Sequence, residues 1–337
     1  MPYRSHRLAR LVQDAHTDAV TGLEDRVAAD ALGRSDTAFE DLIRRSLTAW
    51  IRAFGAPDQP AVPGDALRRI LAAARAAVRR ILDGITDRAP TVLAGALGEA
   101  VGLGVSQGLA FVRAASGRTR TAAVPPVRPG LVDEARRVAD MVRERRDRAL
   151  FLLHPDRANR WTHVLAGLGA ARAVLPAARA HISWVLNTAV RDGLDTAAHA
   201  TAPLRLWVSE ADACVRCLAY TGRVSPVGVP FPGGLSWDPR QRRTRAQPVE
   251  GPPLHAHCRC RTVPWNNSWS ADGTPFPEAL RREAQRNIAY GRARPSESRA
   301  ARLRAVGELL RAERDLLPTV ETRARAALRT GRFTTAA

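Results

Sequence analysis

Cys214-Val215-Arg216-Cys217 and, well downstream, Pro252-Pro253-Leu254-His255-Ala256-His257-Cys258-Arg259-Cys260 hold all four cysteines of the chain. The first pair follows a strand-like run, Leu204-Arg205-Leu206-Trp207-Val208, and the second cluster closes a loop rich in glycine and proline. Two Cys/His clusters on tight turns, meeting across a long loop, have the spacing of a metal site. Cys214, Cys217 and Cys258 are the expected ligands. For the fourth, His255 stands one turn before Cys258 and can converge with it. Cys260 is the rival, because alternate residues on a strand face the same side; His257 is the third choice. Four protein ligands complete a tetrahedron and leave no open position, so the expected cofactor is a structural zinc. Such ions bind with on the order of 10–16 kcal/mol, more than the stability of a typical domain, so the module is expected to need its ion to fold. The competing reading is two disulfides. That framework belongs to small secreted domains, whereas this chain has 337 residues and no apolar run behind Met1-Pro2-Tyr3-Arg4-Ser5-His6-Arg7.

With 45% apolar and only 5% aromatic residues, the core must be built of Ala, Leu and Val, which favours helices. The formal net charge is +19 and every one of the 52 basic residues is arginine. Codon bias in a GC-rich genome explains arginine in place of lysine. The charge itself predicts at least non-specific attraction to polyanions through counterion release. It is densest towards the C-terminus, and no helix-turn-helix or aromatic-interleaved strand pair accompanies it, which argues against sequence-specific readout.

Outward from the cysteines the chain reads as mainly α: a helical N-terminal region (1–115), a linker (116–130), a helical region (131–200), a small zinc-stapled α+β module (201–277) and a basic helical tail (278–337). Leu8, Leu11, Val12 and Ala15 give the first helix its stripe, and Ser35 with Asp36 is placed to cap the second. From Asp65 to Asp83, Leu67, Ile70, Leu71, Ala74, Val78, Ile81 and Leu82 share one face while Arg68, Arg69, Arg75, Arg79 and Arg80 lie largely on the other. That basic face is either simply solvated or turned towards DNA or an acidic partner. Thr91 to Ala115 is the most apolar run. Glu99 and Gln107 within it argue against a membrane span, and its glycines predict closely approaching helices. The loop from Thr221 to Pro253 is long enough to be functional or without structure. Its centre carries Arg240, Arg242, Arg243 and Arg245, a candidate surface for phosphate or a partner protein. Trp207, Trp237, Trp265 and Trp269 are expected to build the module's small core. The tail reads as helices interrupted by Pro295 and Pro318, and the residues after Arg329 are expected to lack structure.

Trp207, Asp212, the Cys214–Cys217 pair, Gly222, and Pro252-Pro253-Leu254-His255 followed by Cys258-Arg259-Cys260 together resemble the phage Mu F-like head morphogenesis family, the minor head proteins of tailed bacteriophages. The likeness covers roughly residues 178 to 265. It departs from the family at Ala256, where proline is usual; that change relaxes a turn without removing a ligand. The resemblance implies a non-enzymatic protein that joins the procapsid with the phage portal protein and other head proteins, inside the virion or procapsid interior, assembled in the host bacterial cytoplasm. It also implies a part in packaging or delivery of DNA, touched non-specifically, and no membrane. Two alternatives come from other classes. One is a prophage-encoded zinc-dependent nuclease or toxin, with His255, His257 and Cys258 holding an open zinc and Glu210 as general base; the other is a stand-alone zinc-containing nucleic-acid-binding protein. The sequence contains no P-loop or dinucleotide fingerprint.

Overall fold

A computed structural model describes residues 3–57, 61, 64–269, 274–292 and 297–333. Helices hold 68% of the chain and strands 5%, so the fold is decided by how apolar helix stripes are buried. The helices are α1 (Tyr3–Arg10), α2 (His16–Leu32), α3 (Ser35–Phe54), α4 (Asp65–Ser116), α5 (Pro129–Leu152), α6 (Trp161–Arg172), α7 (Val174–Thr201), α8 (Val215–Leu218), α9 (Phe276–Tyr290), α10 (Arg299–Ala312) and α11 (Pro318–Thr330). A π-helical turn, Leu11–Ala15, joins α1 to α2. The strands are β1 (Leu204–Val208), β2 (Val224–Pro226) and β3 (Arg261–Trp265).

The chain forms two compact units, both discontinuous in sequence, so they cut across the segments read from the sequence. One comprises Met1–Gly22, Gly98–Pro126 and Asn187–Ala337, the other Leu23–Leu97 and Val127–Leu186. The second unit is wholly helical. Leu71, Val78, Leu82 and Ile85 of α4, Val138 and Val142 of α5, Val164 and Leu168 of α6 and Ile182 of α7 are fully buried there. Trp50 lies 6.2 Å from Trp161 and 4.8 Å from Phe54, ring to ring. The capping expectation at Ser35 fails. Ser35 is already the first helical residue, Arg34 occupies the cap, and the Ser35 hydroxyl donates back to the Leu32 carbonyl at 2.5 Å; the left-handed Gly33 (φ 55°) turns the chain one residue earlier than polar composition suggests.

The first unit contains the antiparallel sheet, in the order β2-β1-β3. Leu206 of β1 stands opposite Val224 on β2 and Val263 on β3. Alternation along β1 divides the aromatic residues between two cores. Leu206 and Val208 join Val263, Trp265, Phe111 and Phe276 on one side. Trp207 stacks on Tyr220 (4.5 Å) and meets Phe231 edge-on (5.2 Å) on the other.

Of the five glycines of the apolar run, Gly104 and Gly108 meet α7 closely as expected, whereas Gly95, Gly98 and Gly102 have nothing within 4 Å of an added Cβ. α4 is unbroken across the Pro90 position and is long and apolar enough to cross a membrane by length and composition alone; here Val101, Val105, Phe111 and Val112 are buried. A Cβ on Gly104 would stand 2.0 Å from the Val190 carbonyl oxygen, and one on Gly193 2.0 Å from that of Val101. α4 and α7 therefore cross backbone to backbone. Gln107 is satisfied in this packing: its amide donates to the His16 carbonyl (3.0 Å) and its oxygen accepts from Arg261 (3.0 Å).

Gly104→Ala should cost roughly 1–3 kcal/mol through overpacking. Gly98→Ala, with nothing within 4 Å of the new methyl, should instead add about 0.5–1 kcal/mol of helix stability; denaturant unfolding of the two variants checks the contrast. A second expectation concerns acid. Burial, and behind it the Arg261 guanidinium, pushes the His16 imidazole down from 6.5 to about 3. The native state thus prefers the neutral ring, and the resulting stability is complete above pH 6.5 and lost as pH falls towards 3. His16→Gln should remove about 1.4 kcal/mol per pH unit from the acid slope in that window, read from unfolding midpoints across pH.

Candidate metal centre

Each ligand cluster is held by the backbone around it. β1 ends at Val208, and the turn that follows is closed by the Ala213 N–H donating to the Glu210 carbonyl (3.2 Å). The Ser209 hydroxyl donates to the Cys217 carbonyl (3.0 Å) and accepts from Thr221 (2.6 Å), which pins the short helix α8 against the sheet. In the second cluster the Cys258 N–H returns to the His255 carbonyl (3.1 Å). His257 takes the left-handed position of this turn (φ 57°) and is exposed, pointing up no ligand role. Glu210, a candidate base from the sequence, cross-links the clusters: its carboxylate accepts the Arg259 backbone N–H at 3.3 Å.

The structure brings all five expected ligands together. Cys214, Cys217 and His255 have their ligand atoms within 4.8 Å of one another, and so do Cys217, Cys258 and Cys260. Cys217 is common to both groups. The Cys217 and Cys258 sulfurs are 3.6 Å apart, and the His255 Nε2 lies 3.2 Å from Cys214 Sγ and 3.7 Å from Cys217 Sγ. All four cysteines are free. A disulfide needs about 2.05 Å, whereas the edge of a tetrahedron with metal–sulfur bonds of about 2.3 Å is roughly 3.8 Å. The spacing fits ligands around an ion. His255 Nδ1 donates to the Ala256 carbonyl (2.7 Å), which leaves Nε2, facing the sulfurs, as the nitrogen that could take a metal. His255 and Cys260 each retain a place as fourth ligand.

Charge within the cluster is uneven. Contact with Cys217, then burial working against it and the His255 imidazole working with it, leaves the Cys214 thiol lowered to about 3. Contacts with Cys217 and Cys260 likewise hold Cys258 well below the usual thiol range, while Cys214 and Cys258 together push Cys217 up. Thiolate, the form a metal requires, is therefore already favoured at two of the four sulfurs.

The tail does not stand apart from this module. Cys217, Cys258 and Cys260 share one core with Ala284 and Ile288 of α9, Ala305, Val306 and Leu309 of α10, and Val320 and Ala324 of α11. Arg302, 1% exposed, donates to the carbonyl of Ala213 (3.0 Å) and to Asn287 (3.2 Å) and pairs with Glu297. Glu297 in turn accepts the Val215 N–H at 2.8 Å. Both halves of one buried ion pair thus grip the backbone on either side of Cys214. Of the described residues after Arg329, Phe333 packs against this core; residues 334–337 and Pro295 lie outside the described residues.

The loop from Thr221 to Pro253 is also built rather than loose. Phe231 and Val249 exchange backbone hydrogen bonds of 2.7 and 2.9 Å, and the Trp237 N–H donates to the Val215 carbonyl (3.0 Å). Asp238, fully buried, takes a bidentate pair from Arg304 at 2.8 and 2.7 Å. Of the four candidate contact arginines, Arg242, itself exposed, is also engaged by Glu308 (2.8 Å) and the Ser236 carbonyl (2.8 Å). Arg240, Arg243 and Arg245 are exposed. Sequence reasoning missed Arg302, Glu297 and Arg304; only Asp238, an acid directly before the Arg240–Arg245 cluster, carried a readable signal.

These features define a mainly helical protein with a buried Cys/His cluster able to hold a metal ion. Compared with known protein families, with curated proteins and with solved structures, the chain gives no match.

Cys217→Ser removes the ligand common to both groups. It should abolish metal retention and, with a loss on the order of 10 kcal/mol, release α9–α11 from the module, as read by hydrogen exchange in those helices. His255→Ala and Cys260→Ser, compared in competition with a chelator, identify the fourth ligand: the variant that gives up metal more readily has lost it.

Proposed function

We propose that this chain is a minor head protein of a tailed bacteriophage, of the Mu F-like kind, whose metal module is a closed structural zinc site. The observation that carries the reading is the convergence of Cys214, Cys217, His255, Cys258 and Cys260 into one cluster, since these are the positions on which the resemblance to that family rests. Zinc is the ion for a buried set of thiolates and imidazole in tetrahedral spacing, and it needs no redox partner. A structural role follows from the cover: α9–α11 enclose the cysteines, and Glu210 is occupied by the Arg259 backbone instead of being presented to a substrate.

In this reading the protein joins the procapsid beside the portal, is assembled in the host cytoplasm and resides in the head interior. Arg240, Arg243 and Arg245, exposed on an ordered loop, supply the contact with the portal or with packaged DNA. Non-specific attraction to DNA follows from the +19 charge. No membrane step is involved.

The purified protein should contain one zinc per chain, with its thiols titratable only after chelation and denaturation. It should also form a complex with the portal protein of the same phage that persists at salt concentrations where DNA is released. Arg240→Gln/Arg243→Gln/Arg245→Gln should weaken that complex while leaving the zinc content unchanged. Full zinc with a steeply salt-dependent DNA complex and no portal binding would replace this reading with a stand-alone nucleic-acid-binding protein.

A further inference from the structure

α3 and α4 together line a groove of about 330 Å³ in the helical unit. α3 contributes Leu42, Arg45, Ser46 and Ala49, and α4 contributes Ile70, Ala73, Ala74, Ala77 and Arg80. Both sets follow the i, i+3, i+4, i+7 spacing of a single helix face. It adjoins the core face of α4, on which Leu67, Leu71, Val78 and Leu82 are buried, and shares Ala74 with it; on α3 the groove residues Leu42 and Ser46 are themselves buried. Here Ile70 and Ala77 are half-buried and Ala73 is exposed. Alanine in place of larger residues is what leaves the groove open, and a third helix is the object whose ridge fits between two others.

The rim is charged. The Arg45 side chain donates only to the Asp41 carbonyl (3.3 Å), and Asp41 is already paired with Arg44. Neither Arg45 nor Arg80 has a carboxylate partner among the described residues. An apolar floor between two uncompensated guanidinium groups selects an amphipathic partner with carboxylates flanking its apolar stripe. DNA would use the arginines and gain nothing from the floor, because phosphate contacts require charge alone. A second copy is disfavoured by mutual repulsion at +19 per chain. Its own acidic helix, α2, has Val20, Leu23, Val27 and Ala31 already buried.

We propose that the groove between α3 and α4 docks an acidic amphipathic helix of a different protein. From Ile70 to Arg80 the floor is about 15 Å long, some three turns of a partner helix. This surface is independent of the metal centre and of the role proposed above, and it gives a use to the basic face of α4.

The test uses the full chain and three probes: a synthetic peptide of about 18 residues with a leucine/alanine stripe flanked by glutamates, the same peptide with every glutamate replaced by lysine, and a short DNA duplex. The acidic peptide should bind the wild-type protein and the lysine peptide should not. Ala73→Glu, at an exposed position that the fold tolerates, and Arg45→Glu/Arg80→Glu should each weaken binding roughly tenfold or more, with helix content unchanged by circular dichroism. The proposal is overturned if the acidic peptide does not bind, if both peptides bind equally, or if Ala73→Glu leaves binding unaltered. It is also overturned if only the duplex binds and its affinity falls with the two arginines but not with Ala73→Glu, which would make the face a nucleic-acid surface.

Discussion

Holding the sulfurs of Cys217 and Cys258 at 3.6 Å inside an apolar core is the constraint on which the sheet-containing unit depends. Thiols are weak hydrogen-bonding groups and neighbouring thiolates repel, so the protein alone supplies little that draws these turns together. The turns are 41 residues apart in sequence, and closing a loop of that length costs roughly 3 kcal/mol of chain entropy. A bound ion returning on the order of 10 kcal/mol exceeds that cost several-fold. The loop can then be long and irregular without endangering the fold.

The C-terminal helices cover the ligand cluster. The ion pair between Arg302 and Glu297 is poor evidence of stability in itself, since burial works against both charges. Its value is positional, because each partner also bonds backbone next to Cys214. A shift of α10 along its axis would break three interactions at once. The same logic holds for Asp238, whose carboxylate is held below the usual range by Arg304 first, despite burial. That bidentate pair fastens the arginine-rich loop to α10. Ligand cluster, loop and tail therefore form one connected assembly in place of a metal module with an appended tail.

The candidate site was legible in the sequence because ligand spacing is local. C-x-x-C and H-x-x-C each place their donors on a single turn, and Cys260 follows from strand alternation. Helical periodicity gave the faces of α4 and α7, and the glycines of the apolar run told of close approach at Gly104. The rest depended on contacts distant in sequence. Nothing local marks Val306 and Leu309 as lids over cysteines rather than as a surface for a partner. The division into units was hidden because α4 contributes to both, and no proline or charge break announces the change. Pro90, the one apparent break, is continued through: its missing N–H removes a single hydrogen bond, while Ile85, Ala89 and Leu93 on either side are fully buried.

The arginine content acquires a different meaning once each side chain has a place. Arg205 is 4% exposed and bonds Asp195 and the carbonyls of Val229 and Glu250; Arg261, equally buried, bonds Gln107, Thr17 and the Arg259 carbonyl. With Arg302 and Arg304 these form the cross-links of a fold poor in aromatic residues. The planar guanidinium suits this use, because several fixed donors can satisfy carbonyls that face different elements, which a lysine ammonium on a flexible stem does less well. Part of the basic content is thus structural. The remainder is set out on surfaces of distinct character: Arg240, Arg243 and Arg245 on a polar loop, and Arg45 and Arg80 beside an apolar floor. Charge without apolar surface attracts polyanions of any sequence, whereas charge around apolar surface discriminates by shape. The two patches are therefore fitted to different partners, and a single appeal to the net charge cannot describe both.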